Sequence, residues 1–213
     1  MSEVADEKET GRVEAFSDGV FAIAITLLVL ELKIPHVVDG DSIAAALLSE
    51  WPAYAAFLTS FVTIGIMWIN HHRVFSLMRR VDHGLLLLNL LLLLGVTIVP
   101  FPTSLVAEHL GHAGGRIAAL IYAGNGLNIA LGFWGLWRYT SSPRRKPRLM
   151  RLLPDSPEVM AINAQYRFGP LFYVAAVGLA FLSPWACIAY CAALALFFAL
   201  PPRKPSGTSV RLE

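Results

Sequence analysis

Arg12, Ser17 and Asp18 stand at the head of an apolar run, and Glu31 closes it. Only twelve uncharged residues, Gly19 to Leu30, separate the two carboxylates. At about 1.5 Å rise per residue that run covers about 18 Å, against about 30 Å of bilayer hydrocarbon. A helix that crosses a membrane here must carry Asp18, and Arg12 one to two turns earlier, in or near the bilayer. Charges in that position are costly and face a protein interior or a water path. They can bind an ion, relay a proton, or tie helices together by charge-assisted hydrogen bonds.

Other reactive side chains carry less. His71-His72 suggests a metal, but adjacent helical residues point about 100° apart and no carboxylate or Cys spacing completes a ligand set. Imidazoles titrate near physiological pH, which makes His72 a candidate for pH sensitivity. Asn89 lies in a Leu run and is either interhelical glue or part of a polar network. Cys187 and Cys191 share a helix face, as packing residues do. No Ser-His-Asp set, phosphate loop or paired carboxylates stand out, so neither an enzyme nor a cofactor is expected.

The elements that position these residues are membrane helices. Apolar residues make up 56% of the 213 and come in long blocks, and mean hydropathy is +0.59. The fold class is an all-α integral membrane protein with six transmembrane helices. The expected spans are about 15–32, 51–70, 84–103, 117–137, 166–182 and 185–200. The last two come from one uncharged run split at Ser183-Pro184, because proline ends or kinks a helix. Charge chooses six spans over five. With the N-terminus inside, fifteen of the seventeen Lys and Arg fall on the cytoplasmic side, leaving Lys33 and Arg116 outside. Five spans would strand Arg203 and Lys204 outside. The first ten residues hold four acids and one Lys, the reverse of a signal peptide.

Residues 1–204 thus read as one six-span unit and 205–213 as a disordered tail or cloning scar. The outer side leans acidic, with Glu31, Asp39, Asp41, Glu50 and Glu108. Such a mouth concentrates cations, or simply reflects outer loops depleted of Lys and Arg. The inner loop Pro143-Arg144-Arg145-Lys146-Pro147-Arg148 suits anionic lipid head groups. No soluble module accompanies it, so nucleic acid is not an expected partner.

A helical wheel separates the first helix into two faces. With Ile23 at the origin, Leu27 falls at about +40°, Leu30 at about −20° and Phe16 at about +20°. Thr26 falls at about −60°, Ser17 at about +120° and Asp18 at about −140°. Ile23, Leu27 and Leu30 therefore form a stripe from which Asp18 points away. Two readings fit. The stripe packs against helices or lipid while Arg12 pairs with Asp18 or Glu14. Alternatively, several copies surround an axis, the stripe forms apolar rings that gate by dewetting, and Thr26 adds hydroxyls at their edge.

Arg12-x-x-x-Phe16-Ser17-Asp18, followed by Gly19-Val-Phe-Ala-Ile-Ala-Ile-Thr26, closely resembles the signature of the transmembrane protein 175 family. Trp68-Ile-Asn-His71-His72-Arg73-Val-Phe75 resembles the end of that family's second helix. Asp82, Leu88-Asn89-Leu90 and Pro100-Phe101-Pro102-Thr103 resemble its third. The match is specific through about Thr103, and a single six-span unit is similar to the prokaryotic form.

The resemblance implies a homotetramer whose first helices line a central pore, with potassium as the permeant ion and no carbonyl filter. It places the constriction and gate at Ile23, Leu27 and Leu30, and the potassium preference at Thr26. It assigns Arg12, Phe16, Ser17, Asp18, Trp68, His72 and Asn89 to the network that holds the pore helix. It also implies a bacterial inner membrane with both termini cytoplasmic. The competing functions are a proton-coupled transporter using Asp18 and His72, and a non-conducting scaffold.

Overall fold

The computed structural model describes residues 2–34, 42–144 and 148–200, with side chains from Glu9 onward. The Lys8 side chain, Asp39, Asp41, the loop centre 145–147 and the tail with Arg203, Lys204 and Arg211 lie outside the described residues.

Among the described residues every regular element is a helix. α1 (Ser2–Leu27) tightens into a 3₁₀ turn at Leu28–Glu31. Then follow α2 (Ile43–Ser49), α3 (Trp51–Ser76), α4 (His83–Ile98), α5 (Pro100–His109) and α6 (Gly115–Thr140). The chain closes with α7 (Pro157–Tyr166), α8 (Gly169–Leu182) and α9 (Pro184–Ala199). Four stretches are long and apolar enough to cross a bilayer: Glu9–Glu31, Trp51–Ser76, His83–His109 and Gly115–Thr140. α8 and α9 hold 14 and 16 residues, or about 21 and 24 Å of helix.

Local chemistry sets the ends. Asp82 caps α4 by accepting from the Leu85 amide at 2.8 Å. Ser183 adopts extended backbone (φ −155°, ψ 119°) and caps α9 at the Ala186 amide. Pro184 then occupies the first turn of α9, where a missing N–H costs nothing. Neither α2 nor α7 coincides with an expected span. Both are short helices of 7 and 10 residues outside the long apolar runs. An antiparallel bridge at Met78–Met150 pins the loop after α6 beneath the end of α3.

α1 packs against α3 and α4 through Phe21, Ala24 and Leu28, which meet Ile64, Leu85, Leu92 and Val96 in the main core. A second cluster joins α6, α8 and α9 through small side chains, among them Ala119, Ala123, Ala176, Ala180, Cys187 and Cys191. Small residues let helices approach where apolar burial alone drives nothing in lipid. Gly132 is the clearest case: a Cβ there would lie 3.2 Å from the Leu92 backbone of α4. Both cysteines are free and buried.

Candidate functional site on the first helix

α1 has a bound face and a bare face, and the functional residues divide between them. On the bound face Ser17, Phe21, Ala24 and Leu28 are buried, at the i, i+4, i+7 and i+11 spacing of one helical side. Ser17 donates to the Val13 carbonyl at 2.8 Å and accepts from Asn89 Nδ2 of α4 at 2.9 Å. Asn89 Oδ1 meets His71 Nε2 of α3 at 2.9 Å. Because Asn89 spends its amide on Ser17, its oxygen accepts and His71 donates. His71 is itself clamped between rings, stacked on Phe75 at 4.3 Å and tilted against Phe21 at 5.3 Å. Its Nδ1 is buried without a hydrogen-bond partner among the described residues.

Two further links hold the same helix nearer its polar end. Trp68 Nε1 donates to Asp18 Oδ1 at 2.9 Å. His72 Nδ1 meets Glu14 Oε1 at 2.6 Å, with the His72 ring stacked on Trp68 at 6.2 Å. At the far end Lys33 pairs with Glu108 of α5. The chain therefore brings Ser17, Asp18, Trp68, His72 and Asn89 together, by way of two residues that the sequence pattern did not assign to the network, His71 and Glu14. His71 carried a signal in its three-residue spacing from Trp68, which puts both on the same side of α3. Glu14 shares its turn with Asp18, four residues away.

Arg12 and Phe16 stand elsewhere. Both are exposed, and Arg12 has no ion pair with Asp18 or Glu14 in the described structure. The wheel explains this: Arg12 lies at about −20° from Ile23, on the bare face. That face carries Phe16 at 56% exposure, Ile23 at 61%, Leu27 at 38% and Leu30 at 72%. Thr26 is also exposed and donates its hydroxyl proton to the Ala22 and Ile23 carbonyls, each at 2.9 Å. With the proton turned back into the helix, the oxygen lone pairs are the part of Thr26 offered outward.

Known proteins resemble this chain. The sequence profile of the endosomal/lysosomal potassium channel TMEM175 matches residues 12–100. A potassium channel of Chamaesiphon minutus is 52% identical over 202 residues, covering 94% of this chain and 98% of that protein. The chain belongs to the TMEM175 family.

The likeness to TMEM175 proteins extends to three dimensions. The crystal structure of the Chamaesiphon minutus TMEM175 homologue, described as a lysosomal potassium-selective channel homologue, superposes with a TM-score of 0.81 over 90% of this chain and 97% of that one. A Streptomyces collinus potassium channel is 44% identical over 207 residues, 94% of this chain and 99% of that protein. The human endosomal/lysosomal proton channel TMEM175 is 40% identical over 97 residues, which are 42% of this chain and 19% of that protein. TMEM175 proteins are ion channels rather than enzymes, and this chain is a multi-pass membrane member of the family.

Proposed function

We propose that this chain is a potassium-preferring cation channel in which four copies of α1 surround a central pore. The observation that carries the reading is the division of α1: every polar tie sits on one face, and Ile23, Thr26, Leu27 and Leu30 stand bare on the other. A helix held from behind presents the opposite stripe in a fixed orientation. Ile23, with Leu27 and Leu30, forms apolar rings that pass ions only when wide enough to hold water. Thr26 offers hydroxyl oxygens to a cation at the edge of the narrowest ring and biases it toward potassium.

Ser17, Asp18, Trp68, His72 and Asn89, with His71 and Glu14, anchor the pore helix within one subunit. Arg12 and Phe16 share the bare face and meet the neighbouring subunit at the cytoplasmic end. Residues 1–204 form the six-span unit, with α8 and α9 as the last two spans, both termini cytoplasmic in a bacterial inner membrane, and 205–213 a tail. The basic loop 143–148 rests on anionic lipid. Potassium is the permeant ion and no cofactor takes part.

Purified protein in a planar bilayer under opposed potassium and sodium gradients tests the reading. The expected result is a linear, non-saturating current with a reversal potential on the potassium side. Saturable flux coupled to a proton gradient would make it a transporter, and no flux a scaffold. Because the human relative is a proton channel by name, a proton gradient applied alone shows how much of the current is carried by protons.

A further inference from the structure

Where α6 ends and α7 leads into α8, the chain forms an open cleft of about 550 Å³ that the channel reading does not use. Two guanidiniums line it, Arg138 and Arg167, and among the described residues no carboxylate does. Neither arginine has an ion pair with a described residue. Each lies beside an aromatic ring instead: Arg138 is 5.9 Å from the Trp134 ring centre and Arg167 5.2 Å from that of Phe168. A cation–π contact draws on the charge of a guanidinium without using its N–H groups as hydrogen-bond donors, so these stay available to an oxyanion. Asn163 adds donors. Its Oδ1 accepts from Trp137 Nε1 at 2.6 Å, which leaves its Nδ2 without a described partner. Ser142 contributes a hydroxyl to the same wall. Unpaired guanidinium edges beside amide and hydroxyl donors form the donor set for a phosphate ester.

A second cavity shows where such a ligand would come from. Trp134 and Tyr166 also line a crevice of about 60 Å³ between α3, α6, α8 and α9. Its other walls include Ile129, Ala130, Phe133 and Phe198. The volume is well below the roughly 150 Å³ that holds a benzene ring, so the crevice suits a flexible alkyl segment. Arg138 and Ala130 are eight residues apart on α6, about 12 Å along the axis. A polar basin suited to phosphate thus shares Trp134 and Tyr166 with an apolar slot about one head-group length away. That is the shape of a phospholipid, not of a free nucleotide or inorganic phosphate.

We infer that this is a binding site for an anionic phospholipid, its phosphate between Arg138 and Arg167 and part of one acyl chain in the crevice beside Ala130. The site rests on the membrane reading but not on potassium permeation. Ion flux is therefore not the readout, and a lipid on both leaflets makes membrane orientation irrelevant.

The test is lipid retention by native mass spectrometry of the full chain, purified and then incubated with phosphatidylglycerol, phosphatidylcholine or inorganic phosphate. Wild type is expected to retain phosphatidylglycerol at least about tenfold better than phosphatidylcholine. The R138Q/R167Q double variant is expected to hold the two lipids equally. Ala130→Phe fills the crevice and is expected to reduce retention of phosphatidylglycerol with both arginines intact. If the double variant fails to purify, Ala130→Phe and the wild-type lipid comparison decide. Equal retention of both lipids by wild type, undiminished phosphatidylglycerol on R138Q/R167Q, or full retention by Ala130→Phe would each overturn the site. Displacement of phosphatidylglycerol by millimolar inorganic phosphate would overturn the lipid assignment in favour of a soluble phosphorylated ligand.

Discussion

In the proposed pore Ile23 and Thr26 carry opposite jobs on one turn of helix. Ile23 offers only methyl and methylene groups to the proposed pore, so a smaller or polar side chain widens it or wets it. Ile23→Ala and Ile23→Asn are expected to raise single-channel conductance and to move the reversal potential toward the value for equal potassium and sodium permeability. Parental current with unchanged selectivity would remove Ile23 from the constriction. Thr26→Ala deletes the outward hydroxyl oxygen while keeping the helix backbone bonds, since its proton goes only to its own helix. The expectation is weaker potassium preference with conductance close to parental, read from the same bi-ionic potentials. His72 sits 2.6 Å from Glu14 and flanks the Trp68–Asp18 bond. His72→Ala removes both the Glu14 contact and the ring stacked on Trp68 and is expected to lower oligomer yield, whereas parental yield and current would make His72 dispensable.

At the scale of elements the question is what keeps α1 in place. Leu, Ile and Phe on its bound face fit α3 and α4, but lipid tails solvate such side chains as well as protein does. Orientation therefore falls to the polar links. Asn89→Leu would leave Ser17 and the His71 Nε2–H without their partner. Interhelical hydrogen bonds in membranes average about 0.6 kcal/mol each, so the loss of two is expected to cost about 1–2 kcal/mol, seen as earlier thermal unfolding in detergent. Asp18→Ala removes the acceptor of Trp68 and is expected to lower both oligomer yield and open probability. Trp68→Phe keeps an aromatic ring but deletes the indole N–H together with some volume, so it should reproduce the Asp18→Ala defect at least in part. Normal yield and current in both variants would show that the link is dispensable. At the other end Glu108 raises the Lys33 ammonium above its usual 10.5, mainly through their hydrogen bond. The Lys33 charge is therefore fully in place below that value and is lost as pH rises past the raised one, while the tie also requires the Glu108 carboxylate to stay ionised, so it holds through the neutral range.

The whole molecule has more exposed apolar surface than a single chain in water tolerates, and part of it is not lipid-facing by the present reading. Arg12, Phe16, Ile23, Leu27 and Leu30 lie on one side of α1 and are exposed among the described residues. Four such stripes closing on an axis satisfy that face with the copies themselves. Native mass spectrometry of the 23.3 kDa chain is expected to return four copies. A dimer would leave no axis of four and would sink the proposed pore. The proposed lipid pocket at Arg138 and Arg167 is lined by α6, α7 and the loop between them, and none of its described lining comes from α1.

Much of this was legible before any coordinates. Long uncharged runs force helices because lipid leaves no other partner for the backbone, and a period of 3.6 residues already sets Asp18 and Ser17 apart from Ile23 and Leu30. The motif around Arg12, Phe16, Ser17 and Asp18 was enough to suggest the family. What sequence could not decide was partnership. Arg12 and Asp18 look like an ion pair in the linear chain, yet the helix turns them to different faces and gives Asp18 to Trp68. Adjacent His71 and His72 are chemically alike, but one is buried against Asn89 and the other reaches Glu14. Arg138 and Arg167 are 29 residues apart and meet in one cavity only because α7 folds back beneath α6. Periodicity fixes which residues share a face, whereas the neighbour that face meets depends on contacts between helices distant in the chain, and only the tertiary structure supplies those.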